Sequence, residues 1–179
     1  MKFETVDDIF TTNSKLHERF RTTVSAVTDD EAKVRPDGEE WSIAEIVEHV
    51  SIVDAGIARI CAKLLDGAKA AGKASDGSLA ITEKFREGTA RVANEKLQAP
   101  DRVRPTGEVS IASALATMDA TATGLEALRE DFAKVDLSAN TFPHPFLGDM
   151  TAAEWLVMYG GHQARHAAQI ERILEKIRQ

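Results

Sequence analysis

The chain has 179 residues, of which 43% are hydrophobic and 28% charged, and its 22 Lys and Arg against 29 Asp and Glu leave a net charge of −7. These values fit one folded domain spanning residues 1–179, exclude global disorder, and argue against a basic nucleic-acid-binding face or attraction to anionic lipid. No apolar run approaches the roughly 20 residues of a bilayer span, the acidic start "MKFETVDDIF" is unlike a signal peptide, and a single cysteine, Cys61, allows no intrachain disulfide, so a cytoplasmic protein is expected.

Apolar residues recur at three- and four-residue steps and alternate at two only weakly, which predicts helices. Val6, Ile9, Phe10, Phe20, Val24 and Val27 predict a first helix over about 5–27. "RPDGEE" reads as a loop. Ser42 and Glu45 then form a capping box, in which each side chain can satisfy an orphan amide of the helix start, with Trp41 and Ile46 at the staple positions. The stripe Ile43, Ile46, Val50, Val53, Ile57, Ile60 and Leu64 carries a second helix to about Leu65, with Gly67 just past its end. "DGAKAAGKASDGS" is a loop, and "LAITEKFREGTARVANEKL" has helical spacing through Ile81, Phe85 and Val92. Ile111, Leu115, Met118, Ala122, Leu125, Leu128 and Phe132 predict a helix over about 109–134. After the loop "LSANTFPHPFLGD", Thr151 and Glu154 repeat the capping box, Met150 and Trp155 repeat the staple, and a last helix runs to the chain end. The expected fold is all-α: an antiparallel four-helix bundle with an extra loop or short helix between the second and third main helices.

On the last helix Trp155, Tyr159, His162, His166, Ile170, Ile173 and Ile177 fall within a sector of roughly 80°, so two imidazoles occupy the middle of the inward face. Their i, i+4 step offsets them by about 40° and about 6 Å along the axis, which lets both rings reach one ion. Gln163 stands where the helical metalloproteases carry a glutamate, so that motif is absent. Core packing alone is the competing explanation, although burying two imidazoles without strong partners is costly. His49 lies at one edge of the inward stripe of the second helix; taken singly it reads as structural, and with His162 and His166 it completes a three-nitrogen set with an open fourth position, the pattern of catalytic metal sites. Its neighbours Glu45 and Glu48 read as a cap and a solvated side chain. His17 reads as a helix-flank residue and His144 as a loop residue, each with a position from which it could face the same interior. Gly160 and Gly161 weaken a helix interior, which close approach of another helix explains best and space beside a metal explains second. Trp41 and Trp155 read as staples and core.

The segments "WSIAEIVEHV", "HPFLGDMTAAEW" and "HQARHAAQI" together resemble the DinB-like (DinB/YfiT) superfamily of metalloenzymes, in order from the second helix to the last. The resemblance implies a four-helix bundle holding a divalent transition metal, zinc or nickel foremost, on three histidines that correspond to His49, His162 and His166 here. It also implies a homodimer and, among activities, thiol-dependent S-transferases and isomerases that use low-molecular-weight thiols such as mycothiol or bacillithiol. The sequence departs from the family at Gly160–Gly161, where bulkier residues are common, and over 66–98, which aligns with nothing. The expected function is therefore a metal-dependent enzyme that activates a thiol or water toward a small-molecule substrate, as an S-transferase or a hydrolase. A non-catalytic metal-binding bundle acting as a dimeric interaction module is the alternative. No catalytic residue beyond the metal ligands is assigned.

Overall fold

A computed structural model describes residues 3–92, 95 and 97–179. The elements in chain order are α1 (Val6–Ser25), α2 (Asp29–Lys33), α3 (Ile43–Ala71), α4 (Glu83–Val92), α5 (Ile111–Glu126), α6 (Arg129–Lys134), the strands β1 (Thr141–His144) and β2 (Gly148–Thr151), and α7 (Ala152–Ile177). The long helices α1, α3, α5 and α7 make a four-helix bundle in which α7 packs on α1 and α3, and α5 packs on α3 and α1. No described helix is long and apolar enough to cross a membrane.

Two apolar clusters fill the bundle. One joins Ile9 and Phe10 of α1 to Ile57, Cys61 and Leu65 of α3, Phe132 of α6, and Trp155, Leu156 and Tyr159 of α7. The other joins Phe20 and Val24 to Ile43, Ile46 and Val50, Ala114 and Met118, and Ile170 and Ile173. The start of α1 thus lies level with the start of α7 and the end of α3. So α1 and α7 run parallel, α3 and α5 run parallel, and the two pairs oppose each other, which corrects the expected antiparallel arrangement. Parallel neighbours cannot be joined by a tight turn, so the chain from α3 to α5 must return along the bundle, which accounts for the long segment 72–110 that carries α4. α4 is the extra short helix expected there; the expected stretch 79–97 is helical over Glu83–Val92, and its residues 93, 94 and 96 lie outside the described residues.

Three further expectations need correction, and one helix adds to them. α3 does not stop at Leu65 but continues through Gly67 to Ala71, where Gly72 closes it in the left-handed conformation at φ 67°. Gly67 serves close packing instead: a Cβ there would overlap the side chain of Asn140, whose Nδ2 donates to Leu64 O at 3.2 Å. The helix expected over 109–134 breaks at Ala127–Leu128, where Leu128 N donates to Leu125 O in a tightened turn. That turn redirects α6 so that the fully buried Phe132 meets Phe10, ring centroids 6.0 Å apart. The loop before α7 holds a two-stranded antiparallel hairpin, paired from Thr141↔Thr151 to His144↔Gly148; strands of four residues, one with a proline, leave too little alternation to see. Finally, α2 was not expected, although Thr28 and Glu31 cap it with the same reciprocal box.

Candidate metal centre

The capping boxes fix where the functional side chains fall. Ser42 Oγ accepts from Glu45 N while Glu45 Oε2 accepts from Ser42 N, and Thr151 and Glu154 do the same for α7. Met150 and Trp155 of the second staple are buried, as is Ile46 of the first. With both starts set and α3 running antiparallel to α7, His49 meets His162 and His166 between the two apolar clusters.

One ligand nitrogen from each of the three histidines lies within 4.8 Å of the others, and among the described residues no other group of this kind occurs. Ring centroids are 5.2 Å apart for His49–His162, 5.1 Å for His49–His166 and 4.5 Å for His162–His166. The hydrogen-bond network assigns the tautomers. His49 Nδ1–H donates to Val103 O at 2.7 Å and His166 Nδ1–H donates to Gln169 Oε1 at 2.8 Å, which leaves each Nε2 with a bare lone pair. His162 Nε2 sits 3.2 Å from His166 Nε2. His162 Nδ1 has no partner among the described residues, so a proton on His162 Nε2 can bridge the two rings, and a cation can take its place. Nitrogens bound to zinc at 2.0–2.1 Å in tetrahedral geometry stand roughly 3.3 Å apart, so the pair already has the spacing a metal requires.

Electrostatics point the same way. Burial pushes the His162 imidazole well below its ordinary pKa, and the neighbouring His166 and His49 add to the shift. Burial and then His49 bring His166 down to about 3, and burial lowers His49 against the hydrogen bond to Val103. All three rings are therefore neutral at pH 7, the state in which imidazole ligates metal. His49 and His166 are buried, and His162 is the least buried of the three.

The surroundings correct one reading and divide others. Glu48 is not a solvated side chain: it is 1% exposed and accepts from Thr106 N, Thr106 Oγ1 and Gly107 N at 2.7–2.9 Å. Those bonds fasten the segment before α5 over the site, which brings the Val103 carbonyl to His49. Trp41 is more than a staple, because its ring lies 4.8 Å from that of His49, and the Arg104 guanidinium carbon lies 6.0 Å from the Trp41 ring centroid. Neither remaining histidine joins the cluster. His17 Nε2 bonds to Asp119 Oδ1 at 2.9 Å, and Arg21 bonds to the other oxygen of that carboxylate. His144 Nδ1 accepts from Phe146 N at 3.2 Å, with its ring 5.4 Å from Trp155; burial, then Arg102, lowers its pKa to about 4. Gly160 is explained by packing, since a Cβ there would overlap Asn13 and crowd Leu16 of α1, whereas a Cβ at Gly161 would meet open space.

Sequence reasoning missed Asp54. Its side chain is fully buried, and Oδ2 accepts from Gln163 Nε2 at 2.6 Å. The signal was present: Asp54 falls four residues after Val50 and three before Ile57, an acid on an apolar face.

Comparison with known proteins places these residues in a family frame. The family model described as the DinB superfamily matches residues 13–170. An uncharacterized protein of Bacillus subtilis (strain 168), YuaE, is 25% identical over 160 residues, which cover 86% of this chain and 90% of that protein. Among solved structures, TT2238, titled a four-helix bundle protein, superposes with a TM-score of 0.59 at 17% identity, covering 93% of this chain and 98% of that one; this likeness concerns the fold alone.

Proposed function

The chain belongs to the DinB superfamily, and on that premise we propose that His49, His162 and His166 hold one divalent transition metal ion, zinc or nickel, in an enzyme that activates a thiol or water toward a small-molecule substrate. The observation that carries the reading is the convergence of three neutral imidazoles with two Nε2 atoms 3.2 Å apart. Bound there, a metal supplies Lewis-acid charge that lowers the pKa of a coordinated thiol or water. The chain's own groups do the rest. Val103 O and Gln169 Oε1 hold two rings in the tautomer that offers Nε2. Neutral ligands leave the cation's charge uncancelled, and the partial exposure of His162 gives an approach to the open position.

One feature favours thiol over water, and a second says where the thiol comes from. Among the described residues the cluster contains no carboxylate to serve as a general base for water. Cys61, the chain's one cysteine, is buried, and burial pushes its thiol pKa up, so a nucleophilic sulfur must arrive on a free low-molecular-weight thiol. The reading is thus a thiol-dependent S-transferase first and a hydrolase second, in the homodimer that the family resemblance implies; sedimentation equilibrium checks the dimer.

The test is turnover of a panel of electrophiles, with and without low-molecular-weight thiols, by metal-loaded wild type and His162→Ala. Thiol-dependent turnover in wild type and its loss in the variant support the reading. Equal turnover in both removes the metal from the mechanism. Stoichiometric metal with no turnover of any electrophile supports the non-catalytic binding module instead.

A further inference from the structure

Among the described residues, one side-chain hydrogen bond joins the two helices that carry the imidazoles across the interior. Gln163 Nε2 on α7 donates to Asp54 Oδ2 on α3 at 2.6 Å, and both residues are fully buried. Gln163 lies between His162 and His166 in sequence, and Asp54 lies about one and a half turns beyond His49. The link is a poor stabiliser. Burial raises the Asp54 carboxyl well above its ordinary pKa despite the bond from Gln163. Asp54 Oδ1 is buried with no hydrogen-bond partner among the described residues, and the buried Tyr159 hydroxyl meets the Gln163 side chain. An apolar pair of similar volume would fill the same space and remove the buried carboxyl and amide, leaving the Tyr159 hydroxyl as the polar atom of the layer.

What a directional bond supplies, and apolar contact does not, is register. Above and below the link, Val50 and Ile57 of α3 and Leu156 and Ile170 of α7 are aliphatic, and aliphatic layers tolerate a small slide. We infer that Asp54 and Gln163 are positioning residues, whose hydrogen bond sets the axial register of α3 against α7 and so the distance from His49 Nε2 to the nitrogen pair of His162 and His166. The inference rests on the proposed metal-binding reading. Ligand spacing matters on this scale, because metal–nitrogen distances vary by only about 0.2 Å in competent sites.

The test compares wild type, the paired variant Asp54→Leu/Gln163→Met, and Asp54→Asn, which keeps an oxygen for the Gln163 amide. Three quantities are read: zinc affinity by chelator competition, the visible spectrum of the cobalt-loaded protein, and thermal unfolding of the metal-free protein. The paired variant is expected to unfold at or above the wild-type temperature without metal, to bind zinc 10- to 100-fold more weakly, and to show an altered cobalt spectrum. Asp54→Asn is expected to keep zinc affinity within about threefold of wild type and to keep the spectrum. If the paired variant does not fold, Gln163→Met alone is read the same way. Wild-type zinc affinity and cobalt spectrum in the paired variant, or in Gln163→Met, overturn the inference and leave the metal reading standing. Weaker zinc binding that follows a drop in metal-free stability, with an unchanged cobalt spectrum, overturns it too. Wild type that binds no metal removes the metal reading and this inference together.

Discussion

The two apolar clusters and the polar layer between them use the same four helices but serve opposite ends. In the clusters, residues such as Ile9, Phe20, Ile46, Phe132 and Ile170 are fully buried, and their volume matters more than their chemistry. In the layer, His49, Asp54 and Gln163 are just as deep, yet their chemistry opposes folding. Stability comes from the ends of the bundle, and the middle is kept for a task that stability does not reward. The comparison teaches where to cut: a truncation in a cluster lowers stability, and a substitution in the layer alters binding first.

Acid gives the largest expected contrast. The layer histidines and His144 have folded-state pKa values below the ordinary 6.5, with His166 at about 3 and His144 at about 4. Below pH 6.5 the unfolded chain takes up protons that the folded chain refuses. Their contribution to metal-free stability is therefore intact above pH 6.5 and is lost as pH falls toward 3, at up to about 1.4 kcal/mol per pH unit for each histidine. Urea unfolding of metal-free protein at pH 7, 6, 5 and 4 reads this directly. The raised Asp54 carboxyl acts in the opposite sense as one group against four, so a net rise in stability on acidification below pH 6.5 contradicts buried neutral imidazoles.

Within the clusters, Phe20→Ala should cost about 3–5 kcal/mol in the same assay, with zinc affinity of the folded protein little changed. A loss under about 1 kcal/mol would mean that this end of the bundle is not close-packed. Zinc sharpens the contrast from the other side. At 100 times its dissociation constant it should stabilise wild type by about 2.7 kcal/mol. His49→Ala should abolish most of that gain while leaving the metal-free protein folded; a gain that survives the substitution places the ion elsewhere. The smallest effect lies at the start of α7, where Thr151→Ala removes the cap that accepts from Glu154 N and should cost about 1 kcal/mol in chemical denaturation.

Much of this plan is written in local sequence. The boxes Ser42–Glu45 and Thr151–Glu154 announce the starts of α3 and α7, and the stripe from Trp155 to Ile177 puts two histidines inward. What the stripes do not carry is long-range. The parallel pairing of α1 with α7 follows from the whole bundle, so an all-antiparallel reading is natural until the long crossover is seen. Gly67 reads as a stop because nothing local announces Asn140. Glu48 reads as solvated because its partners lie at Thr106 and Gly107, more than fifty residues away. The position of His49 beside the other two rings is of the same kind. Its stripe allows an inward edge, and only the antiparallel packing of α3 on α7 brings the nitrogens together.

The most direct test of the account is a crystal structure of protein loaded with one equivalent of zinc, with anomalous differences measured on both sides of the zinc edge. The account predicts one anomalous peak per chain, bonded to the Nε2 atoms of His49, His162 and His166, with its remaining position open to solvent or a small ligand. No peak among these imidazoles, or a peak at any other set of side chains, contradicts it.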